Sequence, residues 1–376
     1  MLILFFLTSI FLLLFSYFYL RKKCNCSDCG NCVGSGSGGS GCFFEYKKNN
    51  LNKESILSNS FTEYNKEKIK LLRTPSDNII GKGFHRSGWP YVIKKLNEIS
   101  SENGILLDDF VEQNFCYSKG FFYENDWIGI FHHPPFPPDF SNNEEKMINY
   151  LKTPEFKESS KRLKLAIVLS KYHQEELKKH LNCPVVYIPH PIEGKFKEWS
   201  IENWNSNRFK SIVQVGVYLR NTQLIDQVPN IKNIKKIRLW SNMDWVNSYD
   251  KLVKKFWSTK SRKSFSNFED VLFLPPSSFD EMLSKNVVVM EMFDASASNG
   301  VLDCIIRNTP IIINRHKAVE EYLGKDYPLY FESPEEIPFL LNKIEDANIY
   351  LKNMDKTKLT SQYFISELLK ACKKNI

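Results

Sequence analysis

Residues 295–324, reading ASASNGVLDCIIRNTPIIINRHKAVEEYLG, constrain the fold more than any other stretch of the chain. They read as a polar loop, a short helix opening with Asp303, a strand at 310–313 and a second helix start carrying Glu320 and Glu321. The run Ile311-Ile312-Ile313, introduced by Asn308, Thr309 and Pro310, shows no polar alternation, so it belongs to a strand covered on both faces. Strands of that kind build parallel sheets flanked by helices. Ser296, Ser298, Asn299 and Gly300 suit a loop whose N–H groups and hydroxyls face a ligand. A helix behind such a loop turns the positive end of its dipole toward an anion. Asp303, in its first turn, is placed to accept hydrogen bonds from a sugar diol.

The same alternation recurs along the chain. Apolar strands are predicted at 104–107, 127–132, 165–169 and 185–188, and Ser170 caps a helix between the last two. A second series follows at 211–215, 236–240, 271–274, 287–290 and 310–313. Strands alternating with helices imply parallel sheets with helices on both faces. The predicted layout is a first domain over 78–200, a second over 201–345, and a segment 346–376 whose last helix crosses back to the first domain. Helical segments are expected near 337–347 and 359–373. A chain of 376 residues with 42% hydrophobic side chains has material for two cores.

The order from the polar loop through Asn308-Thr309-Pro310 to Glu321-Tyr322-Leu323-Gly324 resembles the donor half of glycosyltransferases with the glycosyltransferase-B fold, the retaining nucleotide-sugar enzymes in particular. The resemblance implies an α/β architecture of two Rossmann-like domains facing across a cleft. It implies transfer of a sugar from a nucleotide-sugar co-substrate to a glycan, lipid-linked or protein acceptor, with no further cofactor and no metal. The first domain would hold the acceptor and the second the donor. In the family's signature two acidic residues stand eight positions apart, and the second holds the ribose. Asp303 matches the second; Ala295 occupies the first position, with Asp294 one residue further out.

Transfer from a nucleotide sugar must stabilise a diphosphate leaving group, which calls for cations and aimed N–H groups. Gly216 and Arg220, in GVYLR after the 211–215 strand, fit that need. The glycine admits close backbone approach, and the guanidinium clamps phosphate oxygens bidentately. The resemblance puts a basic residue at this loop on the diphosphate. It also puts a histidine of a first-domain strand end beside the donor sugar, which His132 or its neighbour His133 would supply, His132 being preferred. If the reaction inverts configuration, His132 or Asp109 is the base; if it retains, the leaving phosphate takes the proton. Ser298, Asn299, Asp303, Glu320 and Glu321 complete the expected donor contacts. Asp108, Asp109 and Glu112 form a second acidic cluster, read equally well as a solvated helix start. Gly81, Lys82, Gly83 and Arg86 form a glycine-rich basic loop that would close on phosphate or acceptor, though tight turns use the same residues. His190, between two prolines, reads as a hinge element.

Residues 1–20 contain no charged side chain and match the thickness of a hydrocarbon core, and Arg21, Lys22 and Lys23 follow them. The expectation is a single transmembrane anchor with the carboxyl part in the cytosol. Cys24, Cys26, Cys29 and Cys32 come next, readable as a zinc site, as acylation sites or as an inert tail. A Gly/Ser linker at 33–41 and a polar lead-in to residue 77 precede the first domain. The formal charge of +8 is spread along the chain without a basic cluster, which argues against a nucleic-acid partner. A dinucleotide-dependent oxidoreductase would need a Gly-x-Gly-x-x-Gly fingerprint, which is absent. The remaining alternative is a non-catalytic protein that binds nucleotide or sugar on the same fold.

Overall fold

The computed structural model describes residues 69–71, 88–118, 120–194, 196–260, 262–272 and 274–376. By contacts the chain divides into residues 1–63 and 64–376, and everything below concerns the second unit. The expected anchor, the cysteine cluster, the linker, and Gly81, Lys82, Gly83 and Arg86 lie outside the described residues. Among the described residues, no helix is long and apolar enough to cross a membrane.

Two all-parallel sheets organise the unit. The first runs β1 (Ile69–Leu71), β2 (Ile105–Asp108), β3 (Trp127–Phe131), β4 (Leu163–Val168) and β5 (Val185–Tyr187), side by side in chain order. β1 lies upstream of the expected start of this domain at residue 78. The second contains β6 (Ser211–Gln214), β7 (Lys235–Trp240), β8 (Glu269–Leu272), β9 (Val287–Met290), β10 (Ile311–Asn314) and β11 (Tyr330–Phe331). Its spatial order is β8-β7-β6-β9-β10-β11, the doubly wound arrangement in which the chain steps from β6 outward to one edge and then returns to build the other. Two successive α/β sheets of this kind are the two-domain, Rossmann-like layout expected from the sequence.

The strands form where they do because both faces are covered. All five residues of β3, WIGIF, are buried, as are all four of β9, and Ile311, Ile312 and Ile313 are each 0% exposed. Each such side chain contributes about 1.5–3 kcal/mol relative to exposure. Gly129 in the middle of β3 has a packing reason: a Cβ there would stand 2.7 Å from a Val111 methyl and from the Trp127 ring. The short helix Val111–Phe115 therefore lies directly on β3. That contact sets Glu112 beside the carboxyl end of the strand.

The segment expected to be helical near 337–347 is broken into Ile337–Leu340, a 3-10 turn at Leu341–Lys343 and Ile344–Asn353. The helix Ser361–Asn375 crosses back to the first sheet's side, where the Phe364 ring meets Trp89 edge-on at 5.4 Å. Trp89 begins the helix Trp89–Ile99, whose buried Val92, Ile93 and Leu96 make its inner face.

Candidate functional site

In a doubly wound sheet, ligands bind outside the carboxyl ends of the strands at the point where the winding reverses. Here that point lies between β6 and β9, and two loops meet there. The loop after β6 carries Gly216 to Arg220, and the loop after β9 carries Glu291 to Ser298. Their backbones are tied together: Asn221 N–H donates to the Glu291 carbonyl at 2.8 Å, and Phe293 N–H donates to the Leu219 carbonyl at 2.9 Å. Arg262 grips the Glu291 carboxylate with both terminal nitrogens at 2.7 and 2.8 Å, fixing the second loop from below.

Arg220 stands in this crevice. Its Nη2 donates to Ser298 Oγ at 3.0 Å, its Nη1 to the Tyr218 carbonyl at 3.0 Å, and its Nε faces Met290 Sδ at 3.3 Å. Every one of these partners is uncharged, and among the described residues Arg220 makes no ion pair. Burial lowers its pKa to about 10, which leaves it cationic at neutral pH. Gly216 has φ +78°, and a Cβ on it would stand 2.9 Å from the guanidinium, so the backbone is open because the arginine needs the space. Ser298 precedes the helix Asn299–Arg307 but makes no side-chain cap to it, its hydroxyl being turned to Arg220. A positive helix end and an uncompensated guanidinium thus converge on one point.

Asp303 sits in the second turn of this helix, because the helix begins at Asn299 rather than at Asp303. It is 5% exposed, and its Oδ1 accepts from Arg307 Nη1 at 2.7 Å. Arg307, fully buried, also donates to Asp280 at 2.6 Å and lies over the Phe196 ring. The bond to Arg307 thus ties Asp303 into a buried ion-pair network within the second domain. Glu320 pairs with Arg315 at 2.7 Å.

Glu321 reaches the other sheet. Its two oxygens accept from the backbone N–H groups of Lys171 (2.6 Å) and Tyr172 (2.7 Å), the first residues of the helix Lys171–Leu177 that Ser170 caps. Burial raises its pKa against these N–H donors. Asp294, 1% exposed, is a second crossing point: Oδ2 accepts from Phe136 N–H at 2.6 Å, and Oδ1 from Tyr172 Oη at 2.9 Å and His316 Nε2 at 3.1 Å. His316 Nδ1 accepts from Ala318 N–H, so the proton on this ring is the one directed at Asp294. Ser296 Oγ lies 2.9 Å from Nδ1 of the fully buried His173, whose pKa burial lowers to about 4. The loop that supplies Ser298 to Arg220 thus also docks on the first domain.

On the first-domain side the histidines follow β3. Glu112 Oε1 accepts from the backbone N–H of His132 (2.9 Å) and His133 (2.8 Å) and from Tyr150 Oη at 3.2 Å. Burial pushes the Glu112 carboxyl up, but His133, His132 and these N–H groups outweigh it and hold it below the usual range. Asp108, Asp109 and Glu112 are all 0% exposed, so the acidic cluster is a buried scaffold and not a solvated helix start. Asp108 holds Asn114 and Tyr123, and Asp109 meets His132 through its carbonyl, 2.9 Å from Nε2. Since a carbonyl only accepts, His132 carries its proton on Nε2. Its Nδ1 has no hydrogen-bond partner among the described residues, and burial lowers its pKa. His133 bonds from Nδ1 to the Glu145 carbonyl at 2.9 Å, and its ring lies 5.8 Å from that of Tyr218.

The crevice therefore gathers Gly216, Arg220, Ser298 and the start of the Asn299–Arg307 helix; His132 lies at the carboxyl edge of the facing sheet. Sequence reasoning did not single out Tyr172, His173 or His316. Polar residues at helix starts give no signal of a partner on another sheet.

No family model matches the chain, and no curated protein matches it. Solved structures of similar shape include a TarM variant from S. aureus crystallised with UDP and α-GlcNAc-glycerol (10% identity, TM-score 0.48, covering 75% of this chain and 58% of that one). WaaG, a glycosyltransferase involved in lipopolysaccharide biosynthesis, aligns at 12% identity and TM-score 0.44 over 87% of this chain and 96% of that one. Anabaena HepE with UDP-glucose aligns at 11% identity and TM-score 0.49 over 66% and 72%. The chain thus spans little more than half of the TarM chain. The two-domain layout itself stands on the strand orders given above.

Proposed function

We propose that the protein is a glycosyltransferase that moves a sugar from a nucleotide-sugar donor to a membrane-proximal acceptor. The observation that carries this reading is Arg220: a cation with only neutral partners, at the winding reversal of a doubly wound sheet, beside a helix amino end whose flanking serine is turned to it. A diphosphate supplies the missing negative charge and acceptor oxygens. As the bond from the sugar's anomeric carbon to the phosphate oxygen breaks, the charge that develops on the diphosphate is met by this guanidinium and these N–H groups. The reading is accordingly metal-independent.

The acceptor's hydroxyl oxygen forms the new bond to the anomeric carbon. On an inverting course His132 Nδ1, held as a free acceptor by the Nε2–Asp109 contact, takes the hydroxyl's proton; on a retaining course the leaving phosphate takes it. The resemblance of the 295–324 stretch supports the donor class. UDP and UDP-glucose, present in two structures of similar shape, are the first nucleotides to try. Residues 1–20, uncharged and followed by Arg21, Lys22 and Lys23, support an anchor with the catalytic part in the cytosol.

Thermal denaturation of a soluble form with UDP, GDP and their sugar conjugates tests the reading. One nucleotide diphosphate stabilises the protein, and Arg220→Ala abolishes the effect. Stabilisation by none of them, in a well-folded protein, sinks it. Donor hydrolysis separates a transferase from a protein that only binds the nucleotide.

A further inference from the structure

A cavity of about 400 Å³ opens on the first domain, within the range of small-molecule sites. Its buried floor is made by Phe115 and Tyr150, 8% and 1% exposed. Its walls include Asn143, Glu144, Asn149 and Glu155, and among the described residues none of its lining is basic. Amides and carboxylates on planar side chains are the groups that pair with vicinal hydroxyls. Carboxylates without a compensating cation repel a phosphate.

The cavity is joined to the histidines at the carboxyl end of β3 by three separate contacts. Tyr150, from the floor, donates to the Glu112 oxygen that holds the His132 and His133 N–H groups. Glu145, next to the wall residue Glu144, accepts from His133 Nδ1 through its carbonyl. Tyr117, following the wall residue Cys116, stands 3.5 Å from His133 Nε2. An occupant of the cavity is therefore one side chain away from the strap that carries the candidate base.

We propose that this cavity binds a non-anionic sugar unit of the acceptor, and that the protein selects acceptors lacking a phosphate or carboxylate at that unit. The proposal rests on the transferase reading for the word acceptor, but not for the binding itself. Saturation-transfer NMR on the whole protein, with methyl glucoside, N-acetylglucosamine and glucose phosphate as probes, tests it. The two uncharged sugars receive saturation and glucose phosphate does not. The double variant Asn149→Ala, Glu155→Ala weakens the uncharged sugars about tenfold, or ~1.4 kcal/mol, while its thermal response to the stabilising nucleotide matches wild type. No transfer to either uncharged sugar, stronger transfer to glucose phosphate, or unchanged binding in the variant each overturns the proposal. A nucleotide response without sugar binding leaves the transferase reading standing and removes the cavity from it. Sugar binding that the variant weakens, in a protein that answers to no nucleotide, keeps the cavity and removes the transferase.

Discussion

Gly216→Ala separates the cost of a backbone conformation from the cost of moving a cation. At φ +78° an alanine costs about 1–2 kcal/mol for the left-handed region. Gly120, at φ +72° with nothing within 4 Å of its would-be Cβ, carries that backbone cost alone and serves as the control. At Gly216 the new methyl also meets three guanidinium atoms of Arg220 at 2.9 Å, where ordinary contact begins near 3.4 Å, so the guanidinium retreats by roughly 0.5 Å. Its bonds to Ser298 and Tyr218, now 3.0 Å, then lengthen to the limit of hydrogen bonding. One misplaced charge-assisted contact to a diphosphate costs about 1.5–3 kcal/mol, a factor of about 10 to 100 or somewhat more in affinity. Titration calorimetry with the stabilising nucleoside diphosphate and with its nucleoside reads this out. The diphosphate weakens by that factor in Gly216→Ala and is unchanged in Gly120→Ala, and the nucleoside is unaffected in both. Undiminished diphosphate binding in a folded Gly216→Ala protein would refute the placement of phosphate at Arg220.

Further expectations follow from individual contacts. Asp303→Ala removes one of the two carboxylates, Asp303 and Asp280, that the buried Arg307 grips, so denaturant unfolding should show a loss of about 3–5 kcal/mol. Its nucleotide-induced shift should stay intact, and loss of that shift without loss of stability would place Asp303 on the ligand instead. His173, with a pKa of about 4 when folded against 6.5 for the free side chain, is buried in its neutral form. Its folded pKa is depressed, so stability is full above about pH 6.5 and falls as protons bind the unfolded chain, by ~3 kcal/mol on reaching pH 4. His173→Gln should flatten that part of the pH–stability curve; an unchanged curve would show that other groups set it. If the reaction inverts, His132→Phe should lower kcat by about 10²–10⁴ with donor affinity retained, read by donor-saturated initial rates; an unchanged kcat would assign the proton to the leaving phosphate. The proposed anchor at residues 1–20 predicts that protease applied to sealed cytosol-out vesicles digests the carboxyl part of the protein; full protection would reverse the proposed orientation.

Strands with both faces covered were the most legible part of the fold, because WIGIF, VVVM and the three isoleucines of β10 carry no polar alternation to confuse with a surface strand. β1 was missed since three residues in a lysine-rich stretch give no run to detect. The spatial order of the second sheet, and with it the position of the crevice, was not legible, as periodicity reports faces and not neighbours. Gly216 and Arg220 were singled out from their own chemistry, and the structure sets them against each other at the crevice. The Asp303–Arg307 pair stands at the helical i,i+4 spacing in plain view, but its burial was not legible from that spacing. Glu112 was misjudged because a carboxylate at a helix start usually faces water, and only the approach of that helix over Gly129 buries it.

The helix Ser361–Asn375 has a bearing on how the chain comes to be folded at all. Trp89 is fully buried, and part of its cover is Phe364, a residue made only after the entire second sheet has been translated. A nascent first domain consequently leaves the ribosome with an uncovered aromatic face, waiting through the synthesis of its partner. Domains commonly mature one after another from the amino end; this one is finished last, by a segment that arrives behind the other domain. Chaperone engagement is expected to concentrate in that interval. Ribosome-bound chains stopped before and after residue 361 should differ most in protease sensitivity around Trp89.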